Sequence, residues 1–177
     1  MRVLRNYLQV VIGAGGKKVV AIAKATFAAG CFWGVEARLA EISGILETAV
    51  GYEGGTFNNP TYKDVCTDQT GHAEVVEVTF DPSRVSYDAL LDHFFALHDP
   101  TQLNRQGPDW GTQYRSVIFT HNDEQHSEAV AKIAELNAAG VFRGPIVTGV
   151  EPASSFWKAE EYHQRYLEKR GMVACHI

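Results

Sequence analysis

The apolar positions of this chain change their spacing several times, and each change marks an element. Residues 19–27 read as a strand rich in Val, Ile and Ala, whereas Phe32, Val35, Leu39 and Ile42 recur at helical spacing directly afterwards. Residues 45–52 predict a second strand, followed over 53–71 by a loop rich in Gly, Asn and Pro. A loop of that length is usually functional. The third strand, 72–80, ends at Asp81-Pro82, and Ser86 then caps a helix with Tyr87, Leu90, Leu91, Phe94 and Leu97 on one face. A second long loop covers 99–113 and residues 114–120 form a fourth strand. Asn122 and Gln125 open a helix in capping-box style, and Gly140 closes it. Residues 145–150 predict a fifth strand, and a last helix over 156–170 stops at Gly171, leaving a mobile tail over 172–177.

The order strand, helix, strand, strand, helix, strand predicts an α+β fold. It is a ferredoxin-like split βαβ sandwich with an appended helix and strand. With 177 residues there is room for one sizeable core, so 19–177 is read as a single catalytic domain and 1–18 as a loosely ordered extension. In that extension Arg2 and Arg5 precede an apolar run, but Asn6, Gln9 and glycines interrupt it, which favours the cytoplasm over export. No apolar run reaches the roughly 20 residues a membrane span needs. A net charge of −5 with dispersed Lys and Arg argues against nucleic acid as a partner, and a monomer is expected. Three cysteines, Cys31, Cys66 and Cys175, are too few for a disulfide scaffold and point to reactive thiols in a reducing compartment.

Candidate chemistry begins at Gly30-Cys31-Phe32-Trp33-Gly34, where a thiol meets two large aromatics at a strand-to-helix junction. Cys31 is placed in the first helical turn, where free N–H groups and the helix dipole favour a thiolate. The alternative is a small buried hydrophobe. Alternation along the third strand sets Glu74 on the core face with Val76, Val78 and Phe80. A carboxyl there without a cation keeps its proton, unless it sits at the sheet edge and reaches solvent. The two long loops and their margins concentrate Tyr52, Tyr62, His72, Asp109, Trp110 and Tyr114. Each also has a structural reading, such as Tyr62 covering the core or Asp109 making an Asx turn. Cys66 and His72 amount to half a zinc site, so no metal is expected, and Cys66 reads as a buried thiol beside a strand. His163 is assigned to the last helix as a solvated or capping residue; His98, beside a loop, stays open. These residues alone leave a thiol peroxidase, a cysteine hydrolase and a redox sensor as competing readings.

From Thr26 to the C-terminus the chain resembles the A-type peptide methionine sulfoxide reductases, whose chemistry repairs one epimer of oxidised methionine. The resemblance rests on separated blocks. They are Gly30-Cys31-Phe32-Trp33, Pro60-Thr61-Tyr62 with Val65-Cys66, Gly71-His72-Ala73-Glu74, and His98-Asp99-Pro100. Gln106-Gly107 to Asp109, Gly111-Thr112-Gln113-Tyr114-Arg115-Ser116 and Glu161-Tyr162-His163-Gln164 complete the set. It implies Cys31 as nucleophile, Glu74 as acid, Tyr62 and Tyr114 as hydroxyl donors and Asp109 as a supporting polar group. Phe32 and Trp33 would form the pocket for the substrate S-methyl group. Cys175 would resolve a Cys31 sulfenic acid as a disulfide, to be recycled by thioredoxin or another external dithiol. The implied substrate is methionine-S-sulfoxide, free or in oxidised proteins, and no resident cofactor is implied.

Overall fold

The computed structural model describes residues 21–172; residues 1–20 and 173–177, and with them the extension, Cys175 and most of the expected tail, lie outside the described residues. The chain enters through β1 (Ala23–Ala29), crosses by α1 (Phe32–Ala40) to β2 (Ile45–Glu53) and passes the short α2 (Tyr62–Val65). It then returns along β3 (Ala73–Phe80), which lies between β1 and β2, antiparallel to both. Next come α3 (Tyr87–Ala96), a small hairpin of β4 (Arg105–Gln106) and β5 (Asp109–Trp110), and β6 (Ser116–Thr120). β6 pairs antiparallel with the free side of β1. The inner order β6-β1-β3-β2 is the predicted split βαβ arrangement.

The appended pieces extend both edges. α4 (Asp123–Ala138) leads to β7 (Gly149–Pro152), parallel to β6, and β8 (Trp157–Lys158) pairs with β2 at the opposite edge. Alternation divides the buried side chains between the two faces of the sheet. On one face Phe27, Val76, Val78 and Phe80 meet Val35 and Leu39 of α1 and Leu90, Leu91 and Phe94 of α3. Phe27 stacks on Phe94 with centroids 5.2 Å apart. Each such side chain, fully buried, contributes about 1.5–3 kcal/mol. On the other face Ala28, Ala73, Val75, Val117 and Phe119 pack under Ala153 and Phe156.

The helix N-caps follow the sequence. Ser86 accepts the N–H of Ala89, and Asn122 accepts that of Gln125. The Gln125 side chain, however, accepts from His121 N–H, one residue before the cap. The first strand starts at Ala23 because its partner β3 ends at Phe80, just before Asp81-Pro82. The fifth strand is Gly149–Pro152 instead of 145–150. Ile146 N–H donates to the Asn137 side chain and Val147 N–H to Pro100 O, so neither is available to a ladder.

The predicted helix over 156–170 does not form as one element. Its start is β8, its middle a 3₁₀ turn (Glu161–His163) and its end the one-turn α5 (Tyr166–Lys169), closed by Gly171 at φ 61° as expected. The edge of β2 competes successfully for its backbone. Ala159 N–H donates to Val50 O, and the Gln164 amide then accepts from Val50 N–H at 2.9 Å and donates to Val50 O at 3.0 Å. One glutamine side chain thus occupies a strand position. Arg165 at φ 52° turns the chain away, its N–H bonded to Glu36.

Candidate active site

Cys31 caps the N-terminus of α1 directly after Gly30, which has φ 93°. A Cβ on Gly30 would lie 2.8 Å from Cβ and Cγ of Gln106, so only glycine allows the β4–β5 hairpin to close against this junction. Gln106 is itself held by bonds to Asp99 N–H and Asp99 O. Through that hairpin Asp109, paired in register with Gln106, is brought close enough for its charge to act on Cys31 and Glu74.

Glu74 is 2% exposed on β3 and sits opposite Tyr52 of β2. Its Oε2 accepts the Phe32 N–H at 3.0 Å, tying the acid to the residue after the thiol. Burial pushes its pKa up to about 8; the Phe32 N–H opposes this and the Asp109 charge adds to it. A carboxyl at this position therefore holds its proton at neutral pH. It faces the core, as alternation predicts, and does not escape to solvent.

The resting state of Cys31 differs from the expectation. Burial, then the negative charge Glu74 carries once ionised, push its pKa up to about 12, and the N–H groups of Trp33 and Gly34 only partly offset them. The helix start does address the sulfur, but its pull is smaller than the desolvation, so the resting group is a thiol.

Tyr62 opens α2, whose capping box is complete: Thr61 accepts the Asp64 N–H, and Asp64 accepts the Thr61 N–H at 2.9 Å. Tyr114 ends a 3₁₀ turn (Thr112–Tyr114) on the facing loop, and Thr112 N–H joins the two loops by donating to Asp68 at 2.8 Å. Both phenols have raised pKa values, chiefly from burial, with Cys66 adding to it at Tyr62 and the charge of Glu74 at Tyr114, so both remain hydroxyl donors. Phe32 is buried, Trp33 half-buried. Their rings lie 5.1 and 5.7 Å from that of His163, and Tyr62 lies 4.6 Å from it.

The remaining sequence candidates separate by place. Cys66, expected to be buried, is exposed at the end of α2 and interacts with the Tyr62 phenol. The strand-adjacent reading fails because a helical turn lifts it off the sheet. His72 spends Nδ1 on Gly55 N–H and Nε2 on Phe57 O, a loop-pinning role. Trp110 is 68% exposed with the Arg105 guanidinium 4.0 Å from its ring. His98 is buried between Phe94 O and Ser116 Oγ, and burial lowers its pKa to about 4. Among the described residues no cluster of three His, Cys, Asp or Glu side chains could hold a metal ion, and no helix is long and apolar enough to cross a membrane.

Sequence reasoning missed the contribution of the 157–164 segment. His163, expected at the surface of a helix, is fully buried, and Glu160 meets both Tyr52 and Tyr62. The available signal was the weak apolar stripe of that segment, which mixes Tyr162, His163 and Gln164 where a packed helix would place aliphatic residues.

A family model described as peptide methionine sulfoxide reductase matches residues 23–177. The chain is 65% identical over 156 residues to the peptide methionine sulfoxide reductase MsrA of Acidobacterium capsulatum, covering 88% of this chain and 100% of that protein. Among solved structures it is similar to reduced Mxr1 from Saccharomyces cerevisiae, with a TM-score of 0.81 and 37% identity over 88% of this chain and 89% of that one. Mxr1 in complex with Trx2 matches at a TM-score of 0.58 and 27% identity, over 82% and 84% of the respective chains. On a family model that spans 23–177 and a relative 65% identical over its whole length, the chain belongs to the A-type peptide methionine sulfoxide reductases, oxidoreductases that act on methionine sulfoxide.

Proposed function

We propose that Cys31 attacks the sulfur of methionine-S-sulfoxide while Glu74 protonates the departing oxygen. The observation that carries this reading is the buried Glu74 carboxyl, bonded to the residue next to Cys31, where burial pushes its pKa up to about 8. A sulfoxide oxygen leaves sulfur only when it is protonated or strongly hydrogen-bonded, and a neutral carboxyl supplies that proton. Tyr62 and Tyr114, kept protonated, hydrogen-bond the oxygen as charge develops on it. Asp109 supports the constellation electrostatically, and Phe32 and Trp33 enclose the S-methyl group.

The step balances. The thiol loses two electrons to the sulfoxide sulfur, the oxygen ends on Cys31 as a sulfenic acid, and methionine is released. Glu74 gives its proton to the oxygen and recovers the one lost by the thiol. Condensation with the Cys175 thiol then yields a disulfide and water. An external dithiol reduces that bond by exchange. The complex of the similar yeast Mxr1 with Trx2 supports thioredoxin in that role, and a reducing cytoplasm suits it. Protein-bound and free methionine sulfoxide both suit this chemistry, and repair of oxidised proteins is the implied role.

The test is a single turnover without reductant, using pre-reduced protein and N-acetyl methionine sulfoxide of each epimer. About one methionine per chain from the S epimer alone, together with a mass-mapped Cys31–Cys175 disulfide, is the expected result. Product from Cys31→Ser protein, or none from wild type, overturns the reading.

A further inference from the structure

We propose that Glu160 and His163 are positioning residues for this reaction, Glu160 setting Tyr62 and His163 setting Trp33. The inference rests on the site reading above and adds to it the segment that orients two of its side chains. Both residues arrive through tertiary stitching: β8 and the Gln164 amide fasten 157–164 to the edge of β2, next to Tyr52.

Glu160 uses both carboxylate oxygens. Oε1 accepts the Tyr62 N–H at 2.8 Å, and Oε2 accepts the Tyr52 hydroxyl at 2.9 Å. Hydrogen bonds to an ionised acceptor are roughly twice as strong as neutral ones, so this carboxylate fixes the start of α2, and with it the direction of the Tyr62 ring, relative to the sheet. Four residues are too few for a helix to hold itself. The anchor must come from outside: Val65 packs into the core, and Glu160 holds the first N–H of the turn.

His163 is fully buried with Tyr62, Tyr162, Phe32 and Trp33 around its ring. Its Nδ1 lies 2.9 Å from the Trp33 indole nitrogen. An indole N–H can only donate, so Nδ1 must accept and the single proton of a neutral imidazole sits on Nε2. That nitrogen faces Glu160 Oε2 at 3.8 Å, too far for a hydrogen bond, and has no other partner among the described residues. The carboxylate thus attracts the Nε2–H edge while Trp33 is fastened at the other, and Tyr166 stacks on the Trp33 ring at 3.9 Å. The imidazole has one orientation and one tautomer, and the wall of the pocket inherits both.

Two double-mutant cycles and one spectrum decide. Glu160→Gln is expected to slow the single-turnover reductive step by about tenfold in the wild-type background and by less than about twofold in Tyr62→Phe, the non-additivity of changes in one network. Glu160→Asp, which keeps the charge, restores part of the loss. His163→Gln is expected to raise KM for N-acetyl methionine sulfoxide with little change in kcat, and to add nothing to Trp33→Phe. Additive effects in both cycles overturn the proposal while leaving the site reading intact. Wild-type kinetics in Tyr62→Phe and Trp33→Phe remove both. Nitrogen-15 spectra of the unmodified protein need no folded variant: an Nε2-protonated His163 is expected, and an Nδ1-protonated one excludes the Trp33 link.

Discussion

Cys31 and Glu74 cannot both be negative, because each charge raises the cost of the other in a desolvated site. Burial first, with neighbouring negative charge added to it, lifts Glu74 to about 8 and Cys31 to about 12, so in the proposed reaction the pair starts with both protons. Protonated Glu74 removes the second-largest obstacle to thiolate formation, and the same proton is the one the sulfoxide oxygen needs. The reductive rate constant should therefore be full below about pH 8 and fall as pH rises through that value, since the ionised carboxylate can neither donate nor tolerate a thiolate beside it. Stopped-flow single turnovers across that range check the sign. Glu74→Gln should lower the step by about 10²-fold and flatten the profile there, the scale expected for losing a general acid. A retained inflection near pH 8 in that variant would assign the titration elsewhere.

At the scale of elements, the site depends on two contacts that leave no mark on hydrophobic patterning. Gly30 adopts φ 93° with Gln106 pressed against it, so Gly30→Ala is expected to cost about 1–3 kcal/mol through strain and displacement of the hairpin that carries Asp109. That loss should appear as a lower unfolding midpoint together with slower turnover. Gln164→Leu keeps the volume but strips Val50 N–H of its partner, at about 1–3 kcal/mol for a buried orphan, while Val50 O keeps the Ala159 N–H. Denaturant titration should report the lost stability, and hydrogen exchange should show the Val50 amide losing protection before the centre of β3. The helix expected over 156–170 failed for the same reason. Helical spacing of apolar residues is a local signal, whereas the unpaired edge of β2 is a non-local competitor for the same backbone groups.

For the whole molecule, the proposed cycle uses a second thiol and an outside reductant as well as the site. Cys175→Ser is expected to give one methionine per chain at an undiminished first-turnover rate and then stall as a Cys31 sulfenic acid, trapped by dimedone and seen by mass spectrometry. Sustained turnover with thioredoxin in that variant would assign resolution to another thiol. Much of the architecture was legible in advance. The α1 and α3 periodicities, the Ser86 and Asn122 caps and the alternation along β3 are local consequences of side-chain chemistry, and they place α1, α3, α4 and the inner strands within a few residues. Cys31 and Glu74 could be singled out because a thiol at a strand-to-helix junction and a carboxyl on a core face are unusual in themselves.

The protonation of Cys31 could not be singled out with equal success. The thiolate expected of Cys31 follows from its own helix, but the thiol follows from burial and from the approach of Glu74 and then Asp109, which only packing creates. His163 lies in a block that the resemblance marks, but it and Glu160 have no legible role until the β2 edge draws their segment into the site. The sequence by itself determined which chemical groups exist, which family they belong to and which strands and helices carry them, because these are written in residue type and spacing. Tertiary structure decided which groups share a desolvated space. Charge states, hydrogen-bond partners and tautomers depend on distances between residues far apart in the chain, and no local pattern encodes those distances.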